Sequence, residues 1–311
     1  MSTTVTAPPR ACASSRRSWN ATRAMSYGFS AMAAAFVVTL LVLFVWQSIP
    51  VWRQEGFGFL SGKSWFFRQH QFGALAMIYG TAVVSGLALL LAAPVGIGAA
   101  IFAAEFIPPR LRLAVKVLVE LLAGIPSVVY GLLGILFLRN WVYRVLTPFD
   151  PLSGDTLLTA AILLAVMILP TVMTLCDDAL CGVPSAQRHA ARGLGLTQTE
   201  VVTSVCLPQA ARGIVAAVLL ALGRALGEAI AVFLVVGRQD NQWPANLLSL
   251  RPLTEAGQTL TSKLAGSETN IAYGDPLHWA AMISLGLVLL AVTVGVTLIG
   301  TQLMRAKERH A

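Results

Sequence analysis

Two ionisable residues, Arg224 and Glu228, stand inside an otherwise apolar run over residues 214–236. An ionised side chain at the middle of a membrane span costs about 2.5–3.5 kcal/mol on insertion scales, so such residues mark either function or mutual pairing. Their i,i+4 spacing predicts that both lie on one helix face and can pair there. Helix rise separates them by about 6 Å along the axis. A guanidinium offers planar donors that match the oxygens of an oxyanion such as phosphate. The chemistry to expect is anion recognition within a membrane; the alternative is an ion pair that only fixes helix packing. Ser127 and Tyr130 are weaker members of the same set. Gly124, Pro126 and Ser127 weaken a predicted helix and expose backbone groups that can line a polar cavity, with Tyr130 one turn on. Glu120 is a gate partner or an ordinary interfacial carboxylate. Helix kinks that serve packing explain this stretch equally well.

A second stretch suits a different task. Residues 183–213 form a long polar interlude between apolar blocks, VPSAQRHAARGLGLTQTEVVTSVCLPQAARG. Pro184 fits a first helical turn, good helix formers follow over 187–194, and Gly195 supplies a stop. Thr197 with Glu200 three residues on predicts a capping box for a second short helix, which Pro208 is expected to end. Two short helices joined by a glycine turn make a protruding knob. Ala190 and Ala191 would give it a small-residue face for close docking, and Gly195 would set the angle between its arms. The plain alternative is a solvated loop.

The elements that position these residues follow from composition. Of 311 residues, 56% are hydrophobic and only 12% charged, against about 25% charged in soluble globular proteins. Apolar runs long enough to cross a bilayer recur along the chain. The fold class is therefore all-α and polytopic, with about six transmembrane helices over 26–48, 75–104, 117–138, 157–175, 214–236 and 277–303. A basic tail over residues 1–25 is expected to be disordered, residues 26–304 to form the transmembrane domain, and 305–311 a second tail. Arg16-Arg17 ahead of an apolar run resembles an export signal, but the five further spans favour an uncleaved first span.

The net charge of +8 does not indicate nucleic acid, because the basic residues lie between spans rather than on one soluble face. With the N-terminus inside, 13 Lys and Arg fall on the inner side and 8 on the outer. That bias places both termini and the knob in the cytoplasm. Cys12, Cys176, Cys181 and Cys206 then all lie at or near the cytoplasmic side, and no disulfide is expected. Cys176 and Cys181 lack the partner set of a metal site, so no metal or other cofactor is expected. Residues 57–64, FGFLSGKS, approach a phosphate-binding loop but carry Phe57 where its first glycine belongs, so ATP binding by this chain is not expected.

The knob carries a resemblance. Residues 189–208 are similar to the signature of ABC-importer permeases: Glu-Ala-Ala, three residues, Gly, nine residues, Ile, one residue, Leu-Pro. His189, Ala190, Ala191, Gly195, Val205, Leu207 and Pro208 occupy those places without a gap. His189 replaces the acidic residue and Val205 the isoleucine. The stretches FGALAMIYGTAVVS (72–85), LLAGIPSVVYGLLG (121–134) and ALGRALGEAIAV (221–232) narrow the resemblance to the phosphate-uptake, PstC-like family. It spans roughly residues 70–300.

The resemblance implies a type I ABC-importer permease fold in a bacterial inner membrane. It implies a homologous PstA-like permease subunit, two PstB-like ATPase subunits and an extracytoplasmic PstS-like phosphate-binding protein as partners. It also makes the Arg224–Glu228 segment the anion-path element and the knob the ATPase-coupling motif. ATP hydrolysis is expected in the partners, with this chain a non-enzymatic transport subunit. Import of another oxyanion, sulfate or molybdate, is the nearest alternative. An ATP-independent secondary transporter, with Arg224 and Glu228 as a proton-coupled site, is a further one. An inert membrane scaffold would leave Arg224 unexplained.

Overall fold

The computed structural model describes residues 15–149, 153–244 and 251–308. The chain opens on helix α1 (Ser15–Glu55), whose residues up to Gln47 form a unit of their own. The tail expected to be disordered through residue 25 is helical from Ser15, while residues 1–14, with Arg10 and Cys12, lie outside the described residues. A short helix α2 (Gly58–Ser61) and a hairpin of β1 (Trp65–Phe66) and β2 (Gln71–Phe72) follow. His70 takes the left-handed conformation at the hairpin turn, φ 51°.

Helix α3 (Leu75–Glu105) packs along α7 (Leu157–Cys181). Small residues permit the close approach: a Cβ on Gly96 would lie 2.8 Å from Val172 Cγ1. Between them come α4 (Pro109–Ala123), α5 (Ser127–Leu133), a π-helical turn over Gly134–Leu138, and α6 (Arg139–Leu146). After α7 come α8 (Ser185–Gly193), α9 (Gln198–Val201), a second π turn over Val202–Cys206, α10 (Leu207–Leu226) and α11 (Ile230–Val235). The chain closes with α12 (Arg251–Thr254), α13 (Leu260–Ala265), α14 (Glu268–Ala272) and α15 (Pro276–Glu308). Among the described residues, six helical stretches are long and apolar enough to cross a membrane: 23–55, 75–105, 127–146, 157–181, 198–226 and 276–302.

Three of the departures from expectation have a local reason. The third span is 127–146 rather than 117–138. Gly124, Ile125 and Pro126 break the chain, because Pro126 disfavours helical geometry before it, and α4 stands as a separate amphipathic helix. The fifth span ends at Leu226, where Gly227 caps it, instead of running to residue 236. Pro208 does not end the knob's second helix, which continues through the π turn into α10. There Leu207 N–H bonds Val202 O, five residues back. That wider turn relieves the clash of a proline ring with the preceding turn.

At the end of the bundle opposite the knob, a buried polar cluster ties distant segments together. Lys263, 1% exposed, pairs with Asp240 at 2.7 Å and with Glu268. Its Nζ also lies 5.1 Å from the Trp65 ring centroid. The Trp65 indole N–H donates to Glu268 Oε1, which also meets His278 Nε2 at 2.9 Å. Burial pushes the Glu268 carboxyl up, but Lys263, Trp65 and His278 outweigh it and hold the group below the usual carboxylate range. Lys263→Met should therefore lower stability by about 3 kcal/mol, because it strands two carboxylates, measured as a fall in thermal midpoint in detergent. Since Glu268 titrates low in the fold, its contribution is complete above pH ~4.3 and disappears as pH falls through the depressed value. In Lys263→Met that acid sensitivity should shrink.

Candidate functional site

The knob is built from local signals in its own sequence. Helix α8 ends in a double hydrogen-bonded reversal: Leu196 N–H reaches Ala191 O at 3.3 Å and Gly195 N–H reaches Arg192 O at 3.0 Å. This Schellman pattern needs a left-handed residue after the cap, and Gly195 supplies φ +87°. The second arm starts with the predicted capping box. Thr197 Oγ1 accepts the Glu200 N–H, and Glu200 Oε2 accepts the Thr197 N–H at 2.7 Å.

The two alanines divide their tasks. Ala191 is buried against the chain's own core, whereas Ala190 and His189 face outward. Of the two alanines expected to form a small-residue face, only Ala190 is exposed, beside His189. Val205 and Leu207 are half-buried and pack against that core, and Pro208 is exposed. Sequence reasoning passes over Leu194, which is 84% exposed at the turn. Its signal is a large apolar residue placed immediately before the glycine of a polar loop.

The knob is also fastened from below. Arg188 Nη1 lies 2.5 Å from Glu105 Oε1 at the end of α3, and Arg188 Nη2 donates to Leu180 O of α7 at 2.6 Å. Gln198 Nε2 donates to the other Glu105 oxygen at 3.1 Å, and Arg192 Nη2 donates to Gln198 Oε1 at 2.7 Å. The Glu105 side chain is 2% exposed. No spacing in the sequence links Glu105 to a knob about 80 residues away, so sequence reasoning does not reach this contact.

Arg224 and Glu228 are not the ion pair that their spacing predicts. Helix α10 stops at Leu226, so residues 227–229 do not continue the turn that would stack one above the other. Arg224 Nη1 donates to Thr171 Oγ1 on α7 at 3.1 Å, and the side chain is exposed on the surface of the subunit. Glu228 turns the other way, where its Oε1 accepts the Ala231 N–H at 3.4 Å. It adjoins a small cavity with the hydroxyl residues Thr81, Ser85, Thr259 and Thr261.

Ser127 is half-buried at the start of α5, and Tyr130 Oη donates to Leu122 O at 2.9 Å. Tyr130 thereby adds a side-chain bond to a carbonyl at the end of α4 that also accepts the Ile125 N–H at 3.3 Å. Among the described residues, no hydrogen bond joins Ser127 or Tyr130 to Arg224 or Glu228. Glu120 is exposed on α4.

An apolar helical body with a protruding helix-turn-helix and an exposed arginine within a span defines a membrane permease subunit. The family described as "Binding-protein-dependent transport system inner membrane component" matches residues 96–309. Among curated relatives, the "Phosphate transport system permease protein PstC" of Mesorhizobium japonicum is 38% identical over 285 residues, covering 84% of each chain. The protein of the same name from Pasteurella multocida is 35% identical over 298 residues, covering 90% of this chain and 89% of its own. The chain belongs to the binding-protein-dependent permease family, on its phosphate-uptake, PstC-like branch.

Solved structures agree on the fold. A chain of the bacterial alginate ABC transporter, in complex with its pentasaccharide-bound periplasmic protein, superposes with TM-score 0.57 at 17% identity. That match covers 94% of this chain and 98% of the other. A chain of the inward-facing MetNI methionine ABC transporter gives TM-score 0.56 at 17% identity, over 74% and 94% of the two chains. The architecture is that of type I ABC-importer permeases.

Proposed function

We propose that this chain is a permease subunit of an ATP-driven importer that moves inorganic phosphate across the bacterial cytoplasmic membrane. One observation carries the reading. Arg224 places a guanidinium within an apolar span, on the subunit's surface, held by a hydroxyl and with no carboxylate in ion-pair reach among the described residues. A cation so placed calls for a mobile anion and a second subunit to enclose it. The relatives' names supply phosphate as that anion.

The assembly has two permease subunits, this chain and a PstA-like partner, above two PstB-like ATPases, with a PstS-like phosphate-binding protein on the outer side. Both termini and the knob are cytoplasmic, and the Lys263 cluster is external. His189, Ala190, Leu194 and the Gly195 turn enter a groove of the ATPase. Val205, Leu207 and Pro208 support the knob's second arm. Arg224 meets phosphate in passage, Glu228 borders the path on its other side, and Ser127 and Tyr130 shape the neighbouring wall.

The test is ATP hydrolysis by the four-component complex in liposomes, with binding protein present and phosphate, sulfate or molybdate supplied. Stimulation by phosphate alone is expected. Stimulation by sulfate or molybdate instead would reassign the substrate, and uptake that persists with the ATPases inactivated would reassign the class.

A further inference from the structure

We infer that Glu105 is the anchor through which movement of the knob enters the membrane helices, a positioning residue on which coupling of ATP hydrolysis to transport depends. The inference rests on the permease reading above and adds to it the mechanical joint. Glu105 is the last residue of α3, and both of its carboxylate oxygens are taken by the knob. Oε1 is held by Arg188 from the first arm, and Oε2 by Gln198 from the second. One carboxylate therefore clasps both arms and fixes the angle between them. The same guanidinium reaches Leu180 O with Nη2, so α3 and α7 are joined to the knob at one point.

The joint is buried. The Arg188 side chain is 17% exposed and Glu105 2%. An ion pair this enclosed resists partial opening, because separating it leaves an uncompensated charge in a poor solvent. Displacement of the knob must therefore carry α3 and α7 with it or break the pair outright. From Leu180, helix α7 leads to Thr171, nine residues away or roughly 13 Å by helix rise. Thr171 is the residue that holds Arg224. Inside that segment Thr174 Oγ1 donates to Pro170 O at 3.0 Å, a bond back to the preceding turn. A continuous set of side-chain and helical contacts thus runs from the docking surface to the arginine of the anion path. The decisive quantity is phosphate moved per ATP hydrolysed.

The complete importer is reconstituted in liposomes with wild-type chain, Glu105→Gln or Arg188→Lys, and given phosphate-loaded binding protein. Glu105→Gln removes the charge and keeps the shape; Arg188→Lys keeps the charge but cannot reach Glu105 and Leu180 O together. Both should leave subunit assembly and basal ATP hydrolysis in place. The phosphate-to-ATP ratio should fall about tenfold, within the range of about 5- to 150-fold typical of coupling between sites. A merely structural role would lower assembly and leave the ratio of the assembled complexes alone. An unchanged ratio in either assembled variant overturns the inference, as does failure of both to assemble. A wild-type complex that hydrolyses ATP without moving phosphate would instead overturn the functional reading beneath it.

Discussion

Arg224→Gln should cut phosphate uptake by the assembled importer by about 10- to 150-fold, the equivalent of one hydrogen bond to a charged group at about 1.5–3 kcal/mol. Glutamine keeps a long polar side chain that can still meet Thr171, so the packing of α10 on α7 should survive and assembly should be normal. What is lost is the cation and its planar fork. The structure sharpens this test. Because Glu228 bonds the Ala231 N–H and not Arg224, the substitution leaves no stranded partner in the same turn. The double change Arg224→Gln with Glu228→Gln should accordingly be as defective as Arg224→Gln alone. If Arg224 served packing only, the neutral double variant would transport near the wild-type rate, measured as radiolabelled phosphate taken up by proteoliposomes. That result would remove Arg224 from the anion path.

The next largest effect is expected at Gly195. Its φ of +87° belongs to the left-handed region, where an L side chain costs about 1–2 kcal/mol. A Cβ at this position would meet no atom within 4 Å, so a substitution brings no clash and acts through the backbone alone. Gly195→Leu should shift the turn and swing the two arms of the knob relative to each other, with insertion and the membrane helices unaffected. Copurification of the ATPase, or its stimulation by loaded binding protein, should fall at least about fivefold. Gly195→Asn, which tolerates the left-handed region better, should retain most coupling. Normal stimulated hydrolysis in Gly195→Leu would show that the turn does not set the docking geometry. His189→Glu, which restores the family residue on an exposed surface, should be tolerated.

Some of this is legible in the sequence, and the rest is hidden for identifiable reasons. Membrane class and the number of spans rest on apolar run length, which few local details disturb. Gly195 and the Thr197–Glu200 capping box are legible because each is a local backbone solution written in adjacent residues. Spacing misreads Arg224 and Glu228 as a pair because it presumes a continuous helix, and Gly227 ends that helix one residue before Glu228. Hydropathy misplaces the third span because it runs across Gly124–Pro126 without registering the break. Leu194 escapes notice because an apolar residue in a polar loop carries weight only once its exposure is seen. Glu105 and Lys263 are not legible as partners, since their contacts join segments far apart in the chain and leave no periodic trace.

The cluster around Lys263, at the end of the bundle opposite the knob, bears on how the protein is made. Trp65 precedes the second span, while Asn241, Lys263, Glu268 and His278 emerge only around the start of the last. The Trp65 indole and its backbone N–H, bonded to Glu268 and Asn241, therefore wait without these partners while four intervening spans are threaded into the bilayer. The cluster can close only behind a complete set of helices. A chain arrested or misoriented part-way displays an unsatisfied tryptophan and an open hairpin at the membrane surface, the kind of exposed edge that proteases and chaperones recognise.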